Sequence, residues 1–379
     1  MTHSTRLKIG LVCPYNITKG GGVQEGILAI RQELAARGHH AKIITPLPRD
    51  IDPGQWPGVI FIGTATDIKS PFATTAQISA SLKSEEIEKV LNQEKFDILH
   101  FHEPWVPIMS RQLLSKSKGR SINIATFHAR LPDTLMSKTI EAVITPYTKP
   151  LLKRLDALTA VSSAAADYVQ NLTTKPVVII PNGINLEKYK KTKRTAHGKT
   201  ILFIGRLEKR KGLRCLLSAY AIVQEAMPDV RLVLAGEGPD RSKLEMQAEQ
   251  LNLKNVEFKG FVDEPTKMEL LSEADVFCSP ALYGESFGIV LLEAMAMDLP
   301  TVAGDNPGYA AVMQDRGKLS LVDPKNAAAF ARRLELFLED AELRQIWRDW
   351  AKEYVRVFDY PTVVDKYEAL YMRLMEQKF

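Results

Sequence analysis

No run of about 18 apolar residues occurs in the 379-residue chain, so a membrane-spanning helix is not expected. The opening MTHSTRLKIGLVCPY carries no cleavable signal pattern and passes straight into a strand, so the sequence reads as cytosolic. Cysteine is scarce: Cys13, Cys215 and Cys278 are odd in number, far apart and set in apolar strands or a helix. That argues against a disulfide framework or a metal cluster, and for buried thiols in a reducing compartment. Low-complexity tracts are missing, and 45% hydrophobic with 25% charged residues is ordinary for a folded globular protein. Net charge is low, +5, which gives no reason to expect nucleic acid as a partner.

What is present is length and a repeated grammar. A chain of 379 residues exceeds what one core usually supports, so two domains are expected. A strand at Leu7 to Cys13, a glycine-rich loop and a helix from Val23 to Arg37 begin the first. AKIITP, FDILHFHEP, INIATFH, ALTAVS and VVIIPNG supply further strands with helical stretches between several of them. After a polar, basic stretch the pattern restarts at TILFIGRL. It then runs through a helix (Leu213 to Ala226), RLVLAG, a helix (Arg241 to Leu251), NVEFKG, a helix (Pro265 to Ala274) and DVFCSP. A long helix from Phe287 to Met297, the strand TVAG and helices to the end complete it. Val- and Ile-rich runs alternating with helices indicate an α/β protein with parallel sheets covered on both faces. The expected division is residues 1–185, a linker at 186–198, a second domain at 199–355 and a final helical segment at 356–379.

Charge is unevenly spread. From Arg111 to Arg154 the basic residues Arg111, Lys116, Lys118, Arg120, Arg130, Lys138, Lys149, Lys153 and Arg154 face only Asp133 and Glu141. Such a bias suits an anionic acceptor or an anionic membrane surface, or else is a solvated face.

In doubly wound sheets ligands bind where loops follow the carboxyl ends of strands. Gly20-Gly21-Gly22 follows the first strand and leaves the backbone bare for a phosphate or sugar, with the N–H groups of a helix behind it. A plain tight turn is the alternative. It is not GxGxxG, and Thr45 and Pro46 stand where a dinucleotide site needs an acid, which disfavours an NAD-dependent dehydrogenase. In GRLEKRKG, Arg206 and Lys211 are spaced to converge on one anion, such as a departing pyrophosphate, without a metal. Arg210 competes with Lys211 for that register, and a surface charge run is the alternative. In GESFGIVLLEAMA, Glu285 precedes a helix and Glu293 lies about two turns inside it if Phe287 begins it. One carboxylate then reaches a sugar and the other a ribose, with backbone N–H groups from Ser286, Phe287, Gly288, Ile289 and Val290 for phosphates. Helix capping is the alternative. The strand ends HFHEP and ATFHAR set His102, Glu103 and His128 on one rim, to touch a transferred sugar or the acceptor, or merely to pack. GEGPD, beginning at Gly236, and GFVD, with Phe261 and Val262, form a slot for a flat base or are ordinary turns.

As a set these motifs resemble the family-4 retaining glycosyltransferases over essentially the whole chain: a GGV turn, a strand-end FH, PNG, GR followed by KG, GEG, GFV, and ESFG with a second glutamate eight positions on. CPYN with GGVQ, HFHEP, ATFH and GESFGIVLLEAMA are most similar to the bacterial phosphatidylinositol mannosyltransferases. The resemblance implies the GT-B fold, two Rossmann-like domains whose parallel sheets face a cleft, with a C-terminal helix crossing back to the first domain. It implies that Gly22 meets the donor phosphate, Arg206 and Lys211 the pyrophosphate, Glu285 the donor sugar and Glu293 the ribose. His128 then lines the reaction centre and Tyr15 stands near the acceptor's polar head.

The expected activity is retaining transfer of a hexose from a GDP- or UDP-hexose, GDP-mannose first, to a lipid or polyol acceptor, with no cofactor and no metal. Peripheral contact with the inner face of an anionic membrane is part of that expectation. Two departures stand out. The basic amphipathic helix of the phosphatidylinositol enzymes corresponds here to TAQISASLKSEEIEKVLNQ, which is close to neutral, and Asn185 stands where the family's PNG is usually followed by aspartate. The competing expectations are a soluble sugar or inositol phosphate acceptor, and a nucleotide-sugar-binding protein without catalysis. Oligomeric state is not legible.

Overall fold

The computed structural model describes residues 6–69, 75–81, 83–129, 145–190 and 198–378. The chain divides into two compact units, Met1–Gly183 with Tyr360–Phe379, and Ile184–Asp359.

The first unit is built on β1 (Lys8–Val12), β2 (His40–Leu47), β3 (Val59–Lys69), β4 (Thr75–Ser81), β5 (Ile98–His102), β6 (Ile122–Phe127), β7 (Ala157–Ala160) and β8 (Val177–Ile179), in the spatial order β4-β3-β2-β1-β5-β6-β7-β8. β1, β5 and β6 are apolar and almost wholly buried, as strands covered on both faces must be. The helix Gly22–Ala36 buries Ile27, Ile30 and Leu34, the spacing of one helical face. The final helix, Tyr360–Lys378, adds Val363, Val364, Tyr367, Leu370 and Tyr371 to the same core. Arg37 ties the two helices, pairing with Asp365 at 2.6 Å and Glu368 at 2.8 Å and donating to the Pro361 carbonyl at 2.8 Å.

The second unit carries β9 (Thr200–Ile204), β10 (Arg231–Ala235), β11 (Val256–Gly260), β12 (Val276–Ser279), β13 (Thr301–Gly304) and β14 (Leu321–Val322), in the order β11-β10-β9-β12-β13-β14, all parallel. In both sheets the order reverses beside the first strand. The switch points lie between β1 and β5 and between β9 and β12, which singles out the loops after those strands as ligand-binding.

Several expectations are corrected. β3, β4 and β14 are strands that the sequence pattern does not announce, and β3 with β4 is antiparallel, so the first sheet is not wholly parallel. The two run on from one another with only residues 70–74 between, too few for the crossover that a parallel pair requires. The near-neutral stretch TAQISASLKSEEIEKVLNQ is therefore not one helix: it opens as β4 and continues as the helix Ser84–Glu94. The helix expected from Phe287 starts at Ile289, because Gly288 caps it at φ 105°. Cys13 and Cys278 are buried, whereas Cys215 is partly exposed, and all three are free thiols. Residues 191–197 of the expected linker, and Arg130, Asp133, Lys138 and Glu141 of the basic stretch, lie outside the described residues. Among the described residues no helix is long and apolar enough to cross a membrane.

Candidate active site

In the second unit the loops after β9 and β12 are joined by a backbone hydrogen bond from Leu282 N–H to the Arg210 carbonyl, 2.8 Å. Gly212 closes the first loop at φ 71°, and a Cβ there would stand 2.0 Å from the Pro280 carbonyl oxygen. The single turn Lys209–Lys211 carries its cations toward the second loop. Lys211 Nζ lies 2.8 Å and Arg210 Nη1 2.6 Å from Glu285 Oε1. Two cations thus converge on one anion, but the second is Arg210. Arg206, back at the strand end, is half exposed and only 3.9 Å from Glu208. One turn of helix explains the difference, since it faces residues 210 and 211 toward Glu285 and leaves 206 beyond it.

Glu285 is nearly buried and is braced from behind by the segment NPGY. Asn306 donates to the Ala281 carbonyl at 3.0 Å and accepts from Tyr309 N–H, and Tyr309 shares a hydrogen bond of 2.7 Å with Ser279. Past Ser286 and Phe287, Gly288 passes so close to Tyr309 that a Cβ would meet the ring at 2.7 Å. Ile289 and Val290 form the first turn, with no side-chain cap on their N–H groups. Glu293, one turn in, accepts from Tyr189 Oη at 2.9 Å and from Lys267 Nζ at 2.8 Å. Its partner Lys267 is held in the charged form: burial opposes this, and the carboxylates of Glu293 and Glu264 outweigh it.

Gly236, at φ 136°, packs against the β9 loop, where a Cβ would stand 1.9 Å from the Gly205 carbonyl oxygen. Beside it Phe261 is 82% exposed, an unusual state for a phenyl ring, and Val262 is half-buried.

In the first unit Gly20 and Gly22 are exposed at the mouth of the helix Gly22–Ala36, where Gly21 provides no side-chain cap. Tyr15 lies on the preceding loop, its carbonyl accepting from Thr45 Oγ1 at 2.7 Å. Burial, and then the Glu103 carboxylate, push its phenol well above the ordinary range. The structure brings His102, Glu103 and His128 together. His102 Nδ1 and His128 Nε2 are 2.9 Å apart, and Glu103 Oε1 accepts from the backbone N–H of His128 and, at 2.6 Å, of Ala129. Glu103 sits at φ 50°, which aims its side chain across the strand ends. Burial raises its carboxyl to about 7, against the pull of those two backbone bonds. Burial likewise lowers His102 well below the usual imidazole range and His128 to about 4, the latter partly offset by a hydrogen bond with Asn182.

Behind this rim His100, lowered to about 3 by burial, lies between Tyr371 Oη at 2.7 Å and Thr126 Oγ1 at 2.6 Å and stacks on His102 with centroids 4.4 Å apart. On the basic stretch, Lys116 and Arg120 pair with Glu88, so part of that charge is neutralised from outside it. Arg111 covers the Tyr147 ring at 4.9 Å and, with Arg154, lines an open hollow of about 480 Å³. Tyr189, Lys267 and Asn306 are missed by motif reading, whereas Arg210 is the alternative that the GRLEKRKG register left open. NPGY after the strand TVAG is the one sequence signal that could have drawn attention to Asn306. Among the described residues no group of three or more His, Cys, Asp or Glu is placed to hold a metal ion.

The family model described as Glycosyltransferase Family 4 matches residues 20–188, and that of Glycosyl transferases group 1 matches residues 185–354. A phosphatidyl-myo-inositol mannosyltransferase of Mycobacterium leprae is 33% identical over 371 residues, covering 96% of each chain. Among solved structures, sucrose-phosphate synthase from Thermosynechococcus elongatus superposes with TM-score 0.78 at 21% identity, over 98% of this chain and all of the other. HepE of Anabaena, in complex with UDP and glucose, gives 0.72 at 19% identity, over 96% and 99%. These neighbours share the GT-B fold of two Rossmann-like domains.

Proposed function

The chain belongs to the family-4 glycosyltransferases, and from that premise we propose that it transfers a hexose from a nucleoside diphosphate sugar with retention of anomeric configuration. The observation that carries the reading is the convergence of Lys211 and Arg210 on Glu285 at the carboxyl ends of β9 and β12. Cations aimed at one point beside an uncapped helix mouth suit a departing diphosphate, whose charge grows as the glycosidic bond stretches.

In this reading Lys211 and, from the strand end, Arg206 hold the pyrophosphate while Arg210 stays on Glu285 and Glu208, with backbone N–H groups of residues 286–290 and of the turn at Gly22. Glu285 accepts from hydroxyls of the donor sugar and Glu293 from those of the ribose, exchanging its present partners Tyr189 and Lys267. The base lies against Gly236, Phe261 and Val262. His128, with His102 and Glu103 behind it, and Tyr15 stand toward the transferred sugar and the acceptor. The bond from C1 to the β-phosphate oxygen breaks, the acceptor oxygen bonds to C1 on the face just vacated, and the departing phosphate oxygen takes the acceptor proton. No side chain in these motifs is disposed as a covalent nucleophile, which favours this front-face route over double displacement. The positive charge needed at the leaving group is assigned to side chains and not to a metal.

The donor proposed is GDP-mannose, its mannose supported by the name of the Mycobacterium leprae relative, with a UDP-hexose as the alternative. The acceptor proposed is a lipid or polyol. Arg111 and Arg154 are suited to peripheral contact with an anionic leaflet on the cytoplasmic side. A panel of nucleotide sugars, screened by thermal shift and then by product release with phosphoinositide-containing detergent micelles or free polyols, tests the reading. Stabilisation by GDP-mannose and transfer of mannose are expected. Failure of every nucleoside diphosphate sugar to bind overturns it.

A further inference from the structure

The His128 ring is held from two sides: its Nε2 meets His102 Nδ1 at 2.9 Å, and the side chain of Asn182 in PNG hydrogen-bonds it too. Its backbone is fixed as well, because the N–H groups of residues 128 and 129 both end on Glu103 Oε1. Two neutral imidazoles sharing one hydrogen bond must divide the roles, one donating and one accepting. His102 Nε2 is buried with no hydrogen-bond partner among the described residues, and a bare lone pair costs less there than a bare N–H. That puts the His102 proton on Nδ1 and makes His128 Nε2 the acceptor.

We propose that His102 is a positioning residue: it donates Nδ1–H to His128 Nε2 and, with Asn182, locks the tautomer and direction of that ring, so that His128 serves as a fixed neutral wall of the reaction centre and not as a proton carrier. The proposal rests on the transferase reading for the place of His128, but the lock itself is a property of the free protein. The groups facing the pair agree with it. His100 stacks on His102 and is held by Tyr371 and Thr126, and Glu103 lies alongside, attached to the backbone of His128. His100 and His102 are fully buried, so a positive charge on either would have an imidazole beside it and no solvent around it, which burial disfavours; His128 is half-buried.

Nitrogen-15 NMR of the histidine-labelled protein, together with kinetics of four variants, tests this. In the parent, His128 is expected to show a protonated Nδ1 and an acceptor Nε2, His102 a protonated Nδ1, and neither ring is expected to titrate between pH 5.5 and 8. His102→Ala should lower kcat about a hundredfold, the scale of a slight misplacement at a reacting centre, with donor KM within about twofold. It should also let His128 titrate near its ordinary value, adding an acid limb to the rate profile. His102→Asn, whose amide N–H reproduces the Nδ1 donor, should restore most of the rate and the flat profile, whereas His102→Gln should not. A protonated Nε2 on His128, titration of the parental ring near pH 6.5, or equal rates for His102→Asn and His102→Ala would overturn the proposal. Parental transfer by His128→Ala would instead overturn the placement of the reaction centre, leaving the tautomer measurement to stand on its own.

Discussion

Gly308 lies against the backbone of Glu285 so closely that a Cβ on it would stand 2.0 Å from the Glu285 carbonyl oxygen. No flexible side-chain end intervenes, so a methyl group there moves one loop or the other. Gly308→Ala is expected to displace Glu285 from Lys211 and to lower kcat about tenfold or more, with a loss of stability of about 1 to 3 kcal/mol from overpacking. Transfer assays paired with thermal melts check it, and an unchanged rate at unchanged Tm would show that NPGY is not the brace described.

The two cations on Glu285 differ in weight. Lys211 is nearly buried, and Arg210 is about a third exposed and has Glu208 as a second partner. Lys211→Ala should cost on the order of a hundredfold in kcat, as removal of a partner aimed at transition-state charge does. Arg206→Ala should cost a similar factor with little change in melting temperature, because Arg206 makes no close ion pair in the free protein. Arg210→Ala should fall well short of both. Equal kcat for parent and Arg206→Ala would remove Arg206 from the pyrophosphate site.

Phe261 tests the base slot. With 82% of its surface exposed, Phe261→Ala is expected to leave stability within about 0.5 kcal/mol. If the ring lies against a nucleobase, binding of a nucleoside diphosphate weakens about fivefold to tenfold, the worth of one base–aromatic stack. Isothermal titration with GDP and UDP decides it, and identical affinities in parent and variant move the base elsewhere.

Glu103 gives a signature in pH. Burial holds its carboxyl near 7 in the folded state, above the ordinary value of 4.5. Below 4.5 it is protonated folded and unfolded alike, so it contributes nothing. Between 4.5 and 7 the unfolded chain loses the proton and the folded one keeps it, so stability falls as pH rises through that window and is level above it. Glu103→Gln removes the titration and keeps an acceptor for the two N–H groups. The variant should therefore gain on the parent by about 3 kcal/mol between pH 4.5 and 7, then run parallel to it. Denaturant melts across pH 4 to 8 measure the difference, and a gap that does not vary with pH would mean that folding leaves the Glu103 carboxyl at its ordinary value.

How much could be read in advance differs between fold and site for physical reasons. The buried strands β1, β5, β6, β9, β10 and β12 are short apolar runs, and burial on both faces leaves no ambiguity about what they are. β4, TAQISAS, has one Ile among small and polar residues, as an edge strand can, and its period is too weak to tell it from a helix lead-in. The helix start at Ile289 was misplaced because Gly288 sits at a positive φ that only local geometry reveals. His102, Glu103 and His128 were legible as three strand-end polar groups. Tyr189 and Lys267 were not, since they meet Glu293 from 104 and 26 residues away and belong to no motif. The glycine of PNG has its reason in another distant residue, for a Cβ at Gly183 would run into the ring of Tyr360 at 2.4 Å.

The first unit takes Val363, Val364, Tyr367, Leu370 and Tyr371 into its core from the far end of the chain. A ribosome delivers these side chains only after residues 184–359 have been made, so the unit begun first has its hydrophobic interior finished last. A stop codon or a bulky fusion a few residues beyond Tyr360 therefore harms the half of the protein that was translated earliest.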